Sequence, residues 1–331
     1  MRAASATVLA LAVAAALVPR AAVAQEDDDV LERLRAFAQD NGTLYIEPIT
    51  SGLGLALTQG TLFTARPQGL YHFDVGVAIS GSIVPDEKDT FRPVLPTSIT
   101  FDGQTILNPY GASANAPLTA TATGAEEGGV SIPLTPEAAQ TVSANGGDPN
   151  DFTLEFLGGL EIPAIPFAVL QASAGLPLGT EIWIRMIPEI EIAEEVGTLS
   201  AFGFGIKHSL SQYIPGSPVD FAVTFDRQGV KVGEYLDGSG TSFGVAASRS
   251  LGPLTVFAAG TQQTGSVDVR YTFDSDVPGV PGESVFFEND IESTVRLTGG
   301  VTLSLLWLKL SGAYSVADYD GFALKVLLSL P

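Results

Sequence analysis

The residue types that bind metals or move protons are sparse in this chain and poorly spaced for either task. There are two histidines, His72 and His208, and no cysteine. Each histidine stands in a run of alternating residues, with no second ligand at metal-binding spacing. Glu189, Glu191, Glu194 and Glu195 cluster around Ile190 and Ile192. Paired carboxylates can hold calcium or support hydrolysis, but this group falls where an alternating run ends and reads as a solvated turn. No serine is read as a nucleophile on a strand-to-helix elbow. Gly203-Phe204-Gly205 lacks the helix and the further glycine of a dinucleotide-binding loop, and reads as close packing within a strand. Without cysteine, a disulfide framework, a thiol nucleophile and a cysteine metal site are excluded. The expectation is a protein that is not an enzyme and carries no cofactor.

Other charged residues are interleaved with apolar ones. Asp74 lies between Phe73 and Val75, Lys207 follows Ile206, Asp226 follows Phe225, and Asp268 and Arg270 flank Val269. Successive side chains of a strand point to opposite faces. These five are therefore candidates for the inner face of a barrel, where they would tune the charge of the lumen.

The elements that would position them are strands. Tyr71, Phe73, Val75, Val77 and Ile79 interleave with His72, Asp74, Gly76, Ala78 and Ser80, a period of two with one broad apolar face. The pattern returns in Ile182, Ile184 and Met186 against Trp183, Arg185 and Ile187. It returns again around Phe204, Phe221 and Val267, and closes in runs over 308–317 and 322–330. Several runs reach the roughly 9–11 residues that a tilted membrane strand needs. Asp237-Gly238, Gly279-Val280-Pro281-Gly282 and Asp320-Gly321 read as turns between them. Tyr71, Trp183, Tyr271, Trp307 and Tyr314 are candidates for interfacial girdles or for core aromatics. The expected fold is all-β: an antiparallel transmembrane β-barrel of about twelve to fourteen strands, an even number as bacterial barrels have.

Residues 1–24 read as an export signal: Arg2, an apolar run from Ala3 to Val18, and the small-residue cleavage motif Ala22-Val23-Ala24. Residues 25–42 read as a helical cap or hatch that opens on Asp27, Asp28 and Asp29 and stops at Asn41-Gly42. Residues 43–331 are the barrel, interrupted over 84–180 by an irregular Pro-, Gly- and Thr-rich insertion or plug. The net charge of −21 argues against a nucleic-acid partner. The mature chain has no apolar run long enough for a spanning helix, and open strand edges cannot sit in hydrocarbon, so a closed barrel is the remaining way to cross a bilayer.

Three segments carry a resemblance: Pro48-Ile49-Thr50-Ser51-Gly52-Leu53-Gly54, the run from Phe204 to Gly216, and Pro218-Val219-Asp220-Phe221. Through them the chain resembles an uncharacterised, Bacteroidetes-type family of outer-membrane barrels, a domain of unknown function. It is distantly similar to the fatty-acid and hydrophobic-compound transport porins with an N-terminal hatch. The resemblance implies the cell outer membrane of a Gram-negative-type bacterium, with outer-membrane lipids and the barrel-assembly machinery as partners. It implies no binding or catalytic residue. The chain ends Ser329-Leu330-Pro331 where such barrels commonly end in an aromatic residue, which implies a variant insertion signal. The expected function is passive uptake of small hydrophobic molecules. The alternatives are a non-transporting structural or partner-binding barrel and a secreted soluble β-rich binding module.

Overall fold

The structure is a computed structural model that describes residues 28–193, 197–273 and 283–330. The export signal, Glu194, Glu195 and the turn at Gly279–Gly282 lie outside the described residues. No helix among the described residues is long and apolar enough to cross a membrane.

Ten strands form a closed antiparallel barrel. They are β1 (Phe73–Ile83), β2 (Ala164–Leu176), β3 (Thr180–Ala193), β4 (Gly197–Ser209), β5 (Asp220–Val232), β6 (Leu236–Leu251), β7 (Leu254–Phe273), β8 (Glu283–Leu305), β9 (Leu308–Val316) and β10 (Gly321–Leu330). Neighbours in sequence are neighbours in the sheet, and β10 closes the ring on β1 with Phe73 opposite Leu330 and Val77 opposite Val326. The count is ten rather than twelve to fourteen because residues 44–57 belong to a helix and the insertion pairs its short strands internally. The insertion also ends earlier than expected. Ala164–Leu176 is a wall strand, paired with β1 from Ile83–Ala164 to Phe73–Ala174.

Alternation decides which way each strand faces. In β1, Phe73, Val75, Val77 and Ile79 are exposed on the outside while Asp74, Ala78 and Ser80 are buried within. In β4 the outer set is Phe202, Phe204 and Ile206, and in β10 it is Leu324, Val326, Leu328 and Leu330. An apolar outer belt on a closed sheet is what hydrocarbon requires, since closure leaves no unpaired edge. Tyr71, Trp307 and Tyr314 are exposed, whereas Trp183 is 2% exposed and belongs to the lumen; the side chain of Tyr271 lies outside the described residues. The ladder between β3 and β4 slips twice, between Gly197 and Thr198 and between Leu199 and Ala201. Leu199 pairs Ile190 and Ala201 pairs Ile187, so Pro188 and Glu189 together face Ser200. A proline has no N–H to donate, and a bulge is where a strand tolerates it. The Asp237-Gly238 pair sits inside β6, and the chain reverses instead at Gly233, where φ is +49°.

The chain divides into two compact units. One comprises Thr50–Pro85, Pro163–Val269 and Glu288–Pro331, which is the barrel and its filling. The other comprises the described residues up to Ile49, Asp86–Ile162 and Arg270–Phe287. A single helix, α1 (Asp28–Leu57), contributes to both. It does not stop at Asn41-Gly42. Asn41 is fully buried, and its amide exchanges two hydrogen bonds with the backbone of Val94, at 3.0 and 2.9 Å, instead of capping the helix. In the same unit, α2 (Pro136–Ala144) is capped by Thr135, whose Oγ1 accepts from the Ala138 amide, and buries Ala138 and Val142 against Phe101, Tyr110 and Phe152.

Candidate functional site: the filled lumen

Helix α1 ends at Leu57 with no basic residue in its last turn. The last four carbonyls of a helix have no partner within it and carry the negative end of its dipole. Inside the barrel the wall supplies what the helix lacks. Arg296 on β8 donates to the Leu55 carbonyl at 2.8 Å, and Arg185 on β3 donates to the Leu57 carbonyl at 3.1 Å. Beyond the helix, residues 58–72 have no regular structure, so their backbone groups also need partners. Lys325 on β10 donates to the Thr61 carbonyl at 2.8 Å, Thr302 on β8 to that of Phe63 at 2.7 Å, and Lys207 on β4 to that of Thr64 at 3.0 Å.

These contacts follow one path. Thr50 and Ser51 accept from Asn289, and a Cβ on Gly52 would meet Ile165, near the mouth where Ile83 and Ala164 meet. Gln68 bonds Asp74, Ser173 and Glu181 near the mouth where Phe73 and Ala174 meet. Residues 50–68 therefore run from one mouth of the lumen to the other. We call this segment the plug. It seats closely. A Cβ on Gly54 would fall 2.1 Å from Ile291 Cδ1. Gly60, at φ +65°, passes so near the wall that a Cβ would fall 2.9 Å from that of Ala323.

The filling has two layers. The side chain of Leu57 packs among apolar ones, Leu53, Ala56, Phe167, Val169, Ala201 and Val230, while Arg185 reaches its carbonyl and lies over the Phe167 ring. Around Phe63 the filling is charged. The ammonium groups of Lys325, Lys207 and Lys309 lie 4.7, 5.1 and 5.9 Å from the centre of the Phe63 ring, within cation–π range. Lys207 pairs with Glu181 at 3.0 Å and Lys309 with Asp74 at 2.7 Å. Trp183 lies across Gly205, where a Cβ would fall 2.2 Å from the indole, so β4 needs a glycine there.

Of the five residues singled out by alternation, Asp74, Lys207 and Asp226 are buried in the lumen. Asp268 and Arg270 are not brought to them. Val267 faces inward against Gly54 of the plug helix, so at this height the apolar side chain takes the inner position and its charged neighbours take the outer one. Arg270 is exposed and lies over the Phe286 ring. The two histidines have separate surroundings: His72 contacts the Leu70 carbonyl, whereas His208 contacts Thr180, Gln212 and Tyr213. No cluster of metal-binding side chains occurs among the described residues. Gly240-Thr241-Ser242-Phe243-Gly244 does match G-x-S-x-G in residue types. It lies mid-strand in β6, however, and Ser242 donates to Asp226 at 2.9 Å, so it forms no elbow. Arg185, Arg296, Lys309 and Lys325 were not singled out from sequence. Their signal is a single basic residue flanked by apolar ones within an alternating run.

The closed sheet and its apolar outer belt define a transmembrane β-barrel of the outer-membrane kind. The chain belongs to the family described as a family of unknown function (DUF6588), whose model matches residues 1–330. No curated protein matches it. Among solved structures it is similar to OmpT, an outer membrane protein of Vibrio cholerae folded in vitro, with 10% identity and a TM-score of 0.25 over 49% of this chain. It spans about 55% of the length of that protein. A BenF-like porin from Pseudomonas fluorescens Pf-5 also has 10% identity, with a TM-score of 0.15 over 78% of this chain and 98% of the porin.

Proposed function

We propose that the protein is a gated passage across the outer membrane, and that the plug is its gate. The observation that supports this is the chemistry of the interface between plug and wall. Wall cations and hydroxyls donate to backbone carbonyls of the plug, at Leu55, Leu57, Thr61, Phe63 and Thr64. Water can replace each of these bonds. Buried charges also gain solvation when water enters, which offsets the loss of their protein partners. An interface of this polar kind suits elements that move relative to each other. The charged layer around Phe63 matches polar solutes better than the small hydrophobic molecules that the likeness to fatty-acid porins implies.

A second reading has its own support. The plug continues into α1 at one end and toward β1 at the other, so the barrel can also serve as a sealed anchor for the second unit. A soluble exported module finds no support in an outer face this apolar. Planar-bilayer recording separates gate from anchor. Wild type should be closed nearly all the time. The double variant G60V/F63A strains the left-handed turn, pushes it off Ala323 and removes the ring that three ammonium groups surround. It should show frequent, long openings. A natively folded double variant that conducts no more than wild type would overturn the gate.

A further inference from the structure

The charges buried in the lumen do not balance. On the inner face, the described residues of the barrel unit place five basic side chains, Arg185, Lys207, Arg296, Lys309 and Lys325, against four carboxylates, Asp74, Glu181, Asp226 and, at the rim, Asp220, which is already taken by Arg66 of the plug. The plug does nothing to correct this. From Thr50 to His72 it contains no aspartate or glutamate, and it offers the wall cations backbone carbonyls, the Thr58 hydroxyl and the Phe63 ring, none of which carries a negative charge. A surplus of positive charge is thus enclosed in a protein whose net charge is −21. Excess buried charge is costly unless something of opposite sign comes with it.

The surplus has a location. Asp226 lies within electrostatic reach of both Arg185 and Arg296, and its Oδ2 is itself without a donor among the described residues, so this one carboxylate stands against two guanidinium groups. Arg185 is 1% exposed and Arg296 is 3% exposed, yet Nε and Nη2 of Arg185 and Nε of Arg296 find no acceptor among the described residues. The Gln263 amide nitrogen, buried on the neighbouring wall, is likewise without an acceptor. Unfilled donors on two guanidinium groups, with nearby positive charge uncompensated, are the chemistry of an anion site.

We infer that the lumen holds a small inorganic anion between Arg185 and Arg296, and that the passage prefers anionic solutes. The second clause rests on the gate proposed above; the first does not. Chloride is the probe. Full-length protein in neutral detergent is heated in sodium chloride and in sodium gluconate at equal ionic strength, the gluconate ion being too large for a buried pocket. Chloride should raise the unfolding midpoint of wild type, and the difference between salts should vanish in R185Q/R296Q. A purely structural role for the arginines would lower the midpoint equally in both salts. Equal midpoints for wild type in the two salts would overturn the anion site. The same wild-type measurement stands if the double variant does not fold.

The selectivity clause is read from reversal potential. In a potassium chloride gradient, G60V/F63A should reverse on the chloride side, with anions carrying most of the current. Adding R185Q/R296Q should move the reversal toward zero. An open channel that reverses on the potassium side would refute anion preference and leave the gate intact. A channel that never opens would refute the gate, and anion preference with it, while the chloride-dependent midpoint would still decide the buried site.

Discussion

Phe63 gathers three lysines from three different strands, and each lysine also has a carbonyl or carboxylate to hold. An aromatic ring can receive such groups on its face at no cost in hydrogen bonds. The second unit offers a different residue-scale test. Tyr110 donates to the Phe152 carbonyl at 2.6 Å, and burial pushes its phenol up to about 12. An unfolded tyrosine ionises near pH 10. Below that pH both states keep the proton and the full contribution to stability is present. As pH rises from about 10 toward 12 the unfolded chain loses its proton first, and that contribution is lost. Tyr110→Phe should remove this alkaline dependence, and at neutral pH it should cost about 0.5–1.5 kcal/mol for the missing bond. Melting curves at pH 8 and pH 11 for both proteins check it, and equal alkaline losses would contradict it. Alternation was enough to place Asp74, Lys207 and Asp226 on inner parity. It could not place Asp268, because the period says which residues share a face, not which face is the lumen.

At the scale of elements, strands were more legible than the helix. A wall strand carries its two environments in adjacent residues, so Phe73 to Ile79 can be read without its partners. Helix α1 cannot be read that way. Its continuation through Asn41-Gly42 depends on Val94, more than fifty residues away, which takes the side chain that would otherwise cap it. Strand β2 was hidden for a similar reason: Pro166 and a run of small residues disguised a strand whose place is set by pairing with β1. The outer faces give a prediction at this scale. Val77 lies mid-strand on the outside, between Val326 and Leu170. Val77→Lys should destabilise the inserted barrel by about 2–4 kcal/mol, the cost of a charge near the bilayer midplane. Folding equilibria in lipid vesicles measure this. A cost near zero would mean that this face does not meet hydrocarbon.

At the scale of the molecule, a strongly acidic chain reserves five of its few basic residues for the inside of the barrel. There four of them, Arg185, Lys207, Arg296 and Lys325, donate to backbone carbonyls at the end of α1 and in the irregular segment that follows it. In sequence the plug reads as part of the barrel, because nothing local in residues 58–68 marks them as filling. Their partners come from strands up to 264 residues away.

The absence of cysteine allows a clean test of whether that filling must move. A Cβ on Gly240 would stand 3.3 Å from that of Leu57, just inside the span of a disulfide, so a small outward shift that also relieves its contacts with Thr58 and the Gly54 carbonyl would let the two be bridged. The variant L57C/G240C, added to the opened G60V/F63A protein, ties plug to wall. In a planar bilayer the oxidised protein should be closed, and addition of reductant should restore the openings within the same recording. Openings that persist with the disulfide formed would show that current does not depend on the plug, and would contradict the account.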